Sequence, residues 1–161
     1  DLHSTSRRQR QMCIRDRGFR GGVMASPKGF ILYRIWYGNC LAYLGRTKQP
    51  LQARIRGHMF AKPMHRAIDI HNVTKIEYTM FETEADMNLY EIYYINLWKP
   101  PLNVDDKARD SLSISLPDKE WDEFIPANWD KWKNEIDTDN SGVALWHRLR
   151  NEKALRGESI L

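Results

Sequence analysis

Residues that favour β-strands occur in three runs within the first half of the chain. FILYRIWY (30–37) is followed by Gly38-Asn39 and by a second run over 41–45, and this arrangement predicts a β-hairpin. KIEYTMF (75–81) alternates between apolar and polar positions, which predicts a third strand.

The pattern of apolar positions also predicts helices between and after these strands. Pro50 begins a helix that extends to about Phe60, because proline fits the first turn of a helix. EADMNLYEIYYINLW (84–98) is typical of a second helix, which Pro100-Pro101 ends. The β-β-α-β-α order predicts an α+β fold with a small three-stranded sheet flanked by helices, followed by a helical C-terminal appendage.

The chain becomes polar and acidic after Asn103. SLSISL (111–116) predicts a short edge strand. Further helices are expected near 118–125, 128–137 and 143–156. We therefore expect one domain over 24–104, and an acidic connection with a helical extension over 105–161.

Residues 1–23 show no apolar periodicity and are expected to form a disordered tail. RRQRQMCIRDR, at the end of residues 1–17, resembles translated sequencing-adaptor read-through. On that interpretation the tail is an artefact, and the natural chain begins at Met24. A basic DNA-binding arm is the alternative.

Charge is distributed unevenly along the 161 residues, although the formal net charge is only +4. Residues 24–75 contain nine Lys or Arg and only Asp69 as an acid, whereas 76–142 contain six basic and sixteen acidic residues. A basic half beside an acidic half is typical of a protein that binds phosphate with one surface. Salt-bridged, solvated faces are the alternative.

Several functional classes are not favoured by the sequence. It contains no apolar run of about 18 residues, so no contact with a membrane is expected. Two cysteines are too few for a disulfide framework, which favours a cytoplasmic location. DTDNSG (137–142) is similar to the first half of a calcium loop, but Arg148 occupies the position that needs a glutamate, so a turn with a helix N-cap is favoured.

Two places in the predicted helices carry candidate chemistry. Arg54 and His58 are four residues apart and share a helix face, beside an apolar stripe formed by Leu51, Ile55 and Met59. Glu91 lies among apolar and aromatic residues, where a carboxylate is costly unless it is paired or binds a cation. An exposed Arg/His pair and a glutamate paired with a structural arginine are the alternatives.

Taken in order, these residues resemble the motifs of the GIY-YIG nuclease superfamily. ILY (31–33) corresponds to the GIY motif and YLG (43–45) to the YIG motif. RIRGH (54–58) has the family's Arg-x-x-x-His spacing, and YEIYYINLWKPPLN (90–103) corresponds to its glutamate helix and Pro-x-Asn end. The resemblance covers about residues 29–104. Ile31 departs from it, because the family has glycine at this position.

The resemblance implies a metal-dependent endonuclease that hydrolyses DNA phosphodiester bonds. Glu91 would hold one divalent cation, Mg²⁺ or another such as Mn²⁺. Tyr33 would be the general base, with Tyr43 orienting it or sharing its proton. The remaining roles are charge neutralisation by Arg54, proton relay by His58, and substrate binding by Arg46, Lys48, Arg56 and Asn103, the last fixing the loop beside the metal.

This chemistry makes two demands on the structure. A free phenol has a pKa of about 10, so we expect nearby cations to lower the pKa of Tyr33. A two-residue turn at Gly38-Asn39 would pair Tyr33 with Leu44 and place the phenols on opposite faces. A three-residue loop would pair Tyr33 with Tyr43, and the catalytic interpretation favours this second register.

Two alternatives to the nuclease remain open. The domain could be a GIY-YIG-like binding module that has lost catalysis and contacts another protein through its C-terminal helices. Trp121, Trp129 and Trp132 are instead expected to pack on the core. The other alternative is an unrelated α/β domain with accidental motif matches.

Overall fold

The computed structural model describes residues 25–61, 68–103 and 110–136, together with Arg156. Its elements in chain order are β1 (Phe30–Tyr37), β2 (Cys40–Thr47), α1 (Leu51–Met59), a 3₁₀ turn (Ile70–Asn72), β3 (Lys75–Phe81), α2 (Glu84–Trp98), β4 (Asp122–Glu123) and α3 (Trp129–Glu135). The predicted α+β class is therefore confirmed. The N-terminal tail, the DTDNSG loop and the helix predicted over 143–156 lie outside the described residues, apart from Arg156.

The strands form one antiparallel sheet in the order β2-β1-β3-β4. The prediction of three strands is wrong by one, because residues 122–123 pair with β3 at the edge of the sheet. The helix predicted over 118–125 and the strand predicted over 111–116 do not form. The chain is held extended by α2, where the Tyr90 hydroxyl donates to the Pro117 carbonyl at 2.8 Å and the Lys119 N–H donates to the Tyr94 hydroxyl at 2.9 Å.

Each face of the sheet is covered by one helix. Alternate β1 residues such as Tyr33 and Ile35 pack against the predicted stripe of α1, which is buried; we call this side the α1 face. Leu32 and Leu44 point the other way and pack against Tyr93, Tyr94 and Ile95 of α2 on the α2 face.

The β1–β2 hairpin contains a bulge that decides where its tyrosines point. Tyr37 pairs with Cys40 across the two-residue turn, but Ile35 pairs with Tyr43, which leaves Ala42 as the extra residue. Tyr33 is consequently opposite Gly45, and the prediction of a three-residue loop is wrong. Because Tyr43 and Gly45 lie on the same side of β2, both phenols nevertheless reach the α1 face.

Helix α2 ends where the chain turns along the outer edge of β2. Thr83 accepts a hydrogen bond from the Asp86 N–H at the start of this helix, and Lys99 ends it in the left-handed conformation with a φ of 46°. The next residues follow β2, where the Leu102 N–H donates to the carbonyl of the bulged Ala42 at 2.9 Å. This path connects the α2 face with the α1 face, where Leu102 is buried.

The C-terminal part of the described chain packs back on the sheet, as expected from its tryptophans. Trp121 lies over the Arg34 guanidinium on the α2 face, at 4.2 Å from ring centroid to Cζ. Trp132 of α3 is buried and meets Phe60 edge-on, with Trp129 beside it. No helix within the described ranges has both the length and the apolar character needed to cross a membrane.

Candidate active site

Three of the predicted side chains are joined by hydrogen bonds on the α1 face. The Tyr33 hydroxyl lies 2.5 Å from His58 Nε2, and the Arg54 Nε–H donates to the same hydroxyl oxygen at 3.0 Å. Tyr33 is fully buried, whereas Arg54 and His58 are partly exposed at the edge of α1. The shared helix face predicted from their four-residue spacing is confirmed, and from it both side chains reach a single phenol.

Tyr43 completes the cluster and is more accessible to solvent than Tyr33. Its ring centroid is 6.1 Å from that of Tyr33 and 4.9 Å from that of His58, which it meets edge-on. The side chain is partly exposed. The two phenols, the guanidinium and the imidazole therefore form one continuous polar group above the sheet.

Gly45 makes this approach of the two phenols possible, and the sequence analysis did not assign it a role. A Cβ at this position would lie 2.6 Å from the Tyr33 hydroxyl oxygen and 2.7 Å from Tyr43 Cε1. Any other residue would push the rings apart. A glycine inside a strand indicates close approach of other groups, so the signal was present in the sequence.

The phenols are not activated in this arrangement. Burial raises the pKa of Tyr33 well above its ordinary value, the neighbouring Tyr43 adds to the rise, and Arg54 opposes it. Burial likewise raises the pKa of Tyr43 against the opposing charge of Arg54. Arg54 thus lowers the pKa of Tyr33 in the predicted direction, but desolvation of the buried ring is the larger effect, and the net shift is upward.

Glu91 reaches the same edge of the sheet from the opposite side. It lies on α2, and its carboxylate Oε1 is 3.3 Å from Arg46 Nε, with 18% of the side chain exposed. Its charge contributes to the raised pKa of Tyr43, so the carboxylate is within electrostatic range of that phenol. Of the two alternatives for Glu91, the structure contains the pair with an arginine, although that arginine is partly exposed and comes from β2.

The donor set at Glu91 fits a cation that takes few ligands from the protein. Within residues 25–61, 68–103 and 110–136, no three His, Cys, Asp or Glu side chains are grouped so that they could hold a metal ion. Mg²⁺ commonly binds through one or two carboxylates and completes its octahedron with water and substrate phosphate. Glu91 meets that requirement on the condition that Arg46 moves away from it.

Asn103 positions β2. Its Oδ1 accepts the Leu44 N–H at 2.9 Å, and its Nδ2 donates to the Leu44 carbonyl at 2.8 Å. The side chain is buried, and these two bonds engage both ends of its amide. These contacts agree with the expected loop-fixing role, because Leu44 lies between Tyr43 and Gly45, and substrate binding by Asn103 stays a prediction.

The other predicted substrate-binding cations lie on the surface around the cluster. Lys48 Nζ is 2.9 Å from Glu84 Oε1, and 60% of the lysine side chain is exposed. Arg56 is exposed on α1, with its guanidinium 4.8 Å from the centre of the Phe60 ring. We call Lys48, Arg56 and Arg46 together the basic rim.

Comparison of this chain with models of protein families, with curated proteins and with solved structures found no match.

Proposed function

We propose that the protein is a metal-dependent endonuclease of the GIY-YIG type that hydrolyses phosphodiester bonds in DNA. One observation carries the proposal: Arg54 and His58 both bond the hydroxyl of Tyr33, and Tyr43 lies against them. Glu91 faces the same edge of the sheet. A structural core hairpin has no need of a cation and an imidazole on one buried phenol, since an apolar side chain would fill the same space at lower cost.

The raised pKa of Tyr33 determines how it would act on water. An ionised phenolate is disfavoured by burial, so the proton has to leave Tyr33 as another arrives. The attacking water gives a proton to the Tyr33 oxygen, while the original hydroxyl proton passes to His58 Nε2 at 2.5 Å. Tyr33 stays neutral throughout this relay, and His58 becomes the imidazolium.

The cations around the phenol have separate tasks in this proposal. Arg54 donates to the Tyr33 oxygen, which orients the phenol, and it stabilises the negative charge that grows on the phosphate. Arg46, Lys48 and Arg56 bind the phosphates of the DNA backbone. A divalent cation at Glu91, Mg²⁺ or Mn²⁺, would supply Lewis-acid stabilisation of the phosphate oxygens.

Plasmid nicking in the presence of Mg²⁺ tests the proposal, with two tyrosine variants compared directly. Tyr33→Phe removes the hydroxyl that would relay the proton, and the nicking rate should fall by about 10²–10⁴-fold. Tyr37→Phe is the matched control. It also removes a buried hydroxyl from the α1 face of β1, but that hydroxyl accepts the Asp69 N–H at 3.0 Å.

The role of Glu91 as the metal ligand is tested by a similar pair of variants. Glu91→Gln should abolish nicking with the fold intact, and Asp86→Asn on the exposed side of the same helix should not.

Equal nicking rates for Tyr33→Phe and Tyr37→Phe would contradict the proposed relay. Absence of nicking by the unaltered protein over a range of Mg²⁺ and Mn²⁺ concentrations would contradict the endonuclease itself.

A binding module that has lost catalysis is the second candidate. It is favoured by the complete burial of Tyr33 and by Ile31, which stands at the motif's glycine position and is fully buried in the core. Such a module would keep the basic rim for DNA or use its C-terminal helix for a protein partner. Binding of plasmid without nicking would support this candidate over the enzyme.

A further inference from the structure

Helix α2 and strand β2 are held together by a ladder of polar contacts at the edge of the candidate site. Glu84, Asn88 and Glu91 are spaced so that they lie on one side of α2. Opposite them, Lys48 pairs with Glu84 at 2.9 Å, and Arg46 contacts both the Asn88 amide oxygen and the Glu91 carboxylate. We call these five side chains the β2–α2 clasp.

The clasp pairs the cations that the proposed function assigns to DNA phosphate with carboxylates of α2, one of which it assigns to the metal ion. Arg46 and Lys48 are the cations expected to bind DNA phosphates, and here each is matched by a carboxylate of α2. Glu91 is the group expected to bind the divalent cation, and here a guanidinium nitrogen lies 3.3 Å from it. The carboxylates of α2 thus lie where the proposal places DNA phosphates, and the Arg46 guanidinium lies where it places the metal ion.

We infer that the clasp couples metal binding to DNA binding, with Arg46 as the exchanging group. A phosphate of the DNA draws Arg46 away from Glu91, and the carboxylate is then available to the cation. This inference rests on the proposed function, since it takes Glu91 as the metal ligand and phosphate as the partner of Arg46.

The exchange is energetically accessible because the pair is partly exposed. The Arg46 side chain is 45% exposed, and pairs of this kind contribute about 0.2–1 kcal/mol. A phosphate offers the guanidinium a bidentate contact of stronger charge, which compensates for the lost carboxylate. A dication next to an unmoved guanidinium would be repelled, so the two cannot share Glu91 in the observed geometry.

Thermodynamic linkage makes the effect reciprocal. If DNA raises the affinity for the cation by some factor, the cation raises the affinity for DNA by the same factor. Removing Arg46 should uncouple the two events, because the guanidinium that DNA would have to draw away from Glu91 is then absent.

Binding of Mn²⁺, measured from the electron paramagnetic resonance signal of the free ion, tests the inference without any assay of cleavage. In the absence of DNA, Arg46→Gln should bind Mn²⁺ about fivefold more tightly than the unaltered protein, the factor that about 1 kcal/mol represents. Lys131→Gln is the matched control, because it removes one positive charge from an exposed site on α3, where the lysine ammonium lies 3.9 Å from Glu135. It should leave the affinity unchanged.

A second series adds a short DNA duplex, with Tyr33→Phe as the parent so that the duplex stays intact. The duplex should tighten Mn²⁺ binding to the parent, after subtraction of Mn²⁺ bound by DNA alone, and should not tighten it in the Arg46→Gln variant. Equal Mn²⁺ affinities of Arg46→Gln and Lys131→Gln without DNA would overturn the coupling.

The controls separate failure of the coupling from failure of the proposed function. If the protein nicks plasmid and Glu91→Gln loses Mn²⁺ binding, but Arg46→Gln binds Mn²⁺ as the unaltered protein does, only the coupling is wrong. If Glu91→Gln binds Mn²⁺ as the unaltered protein does, the metal role of Glu91 is wrong and the coupling falls with it.

Discussion

Gly45 is the residue on which the approach of the two phenols depends. The Tyr33 hydroxyl and the Tyr43 ring occupy the space that a Cβ at this position would need. Its importance is steric, because its backbone is ordinary strand and no left-handed conformation is required of it. The space above this glycine is therefore part of the candidate site.

Substitution of Gly45 by alanine should damage both stability and activity. The added methyl group would overlap the Tyr33 oxygen at 2.6 Å, and relief of such overpacking typically costs about 1–3 kcal/mol. Gly57→Ala is the matched control, since nothing lies within 4 Å of its Cβ and it sits in α1 beside His58. Urea unfolding and plasmid nicking should show a loss for Gly45→Ala alone, and equal stabilities of the two variants would refute this steric role.

At the scale of elements, the pairing of β1 with β3 places a charged pair under a layer of tryptophans. Arg34 and Glu77 are directly opposite each other, with Arg34 Nε 2.5 Å from Glu77 Oε2. The Trp36 indole N–H donates to the same carboxylate oxygen at 2.9 Å, and Trp121 lies over the guanidinium. The pair therefore links the two central strands to the chain that follows α2.

This pair should make stability depend on pH. Burial alone would raise the pKa of Glu77, but hydrogen bonds from Arg34 and Trp36 and the charge of Arg34 outweigh it and lower the pKa below its ordinary value of 4.5. A carboxyl with a depressed pKa stabilises the folded state above pH 4.5, and this contribution is lost as the pH falls through the folded-state value.

Glu77→Gln should accordingly destabilise the protein by about 1–3 kcal/mol at pH 7 and by much less at pH 3. The matched control is Glu123→Gln, which changes the exposed β4 residue opposite Glu77 and should cost no more than about 0.5 kcal/mol. Urea unfolding at the two pH values measures both. A difference between Glu77→Gln and the unaltered protein that is the same at pH 7 and pH 3 would show that the charge of Glu77 is not responsible.

The sequence was sufficient to predict the bounds of elements whose signals are local. β1, β3 and α2 have the predicted bounds because alternation, the Thr83 cap and Pro100-Pro101 act within a few residues. The hairpin register was not predictable, since the bulge at Ala42 is supported by Leu102, which is distant in sequence. The pKa of Tyr33 was misjudged for a related reason: the motif indicates the neighbouring cations but not the depth of burial.

On the scale of the whole molecule, the segment over 110–127 surrounds one side of the sheet. It crosses α2 near Tyr94, pairs with β3 through β4, and reaches α1, where the Gln52 side chain exchanges two hydrogen bonds with the backbone of Ala127. This acidic segment thus passes along the β3 side, whereas Arg46 and Lys48 of the basic rim lie at or just after β2, the opposite edge of the sheet.

The affinity for DNA should therefore depend on salt through the basic rim. Arg56→Gln should reduce the slope of log K against log salt concentration by about 0.9, the contribution of one phosphate contact. Lys131→Gln on α3 is the control; this lysine is 71% exposed, pairs only loosely with Glu135 at 3.9 Å and should leave the slope unchanged. Fluorescence anisotropy with a labelled duplex measures both slopes, and equal slopes for the two variants would place the DNA elsewhere.

The side chain of Asn103 has a consequence for how copies of this protein behave together. An outer strand with unpaired backbone groups is a template onto which a strand of another molecule can add, and β2 is such a strand. The Asn103 side chain hydrogen-bonds both the N–H and the carbonyl of Leu44, and the Leu102 N–H donates to the carbonyl of Ala42. The turn that follows α2 therefore also occupies backbone groups of this edge strand to which a strand of another molecule could add. It does so directly beside the residues proposed to cut DNA.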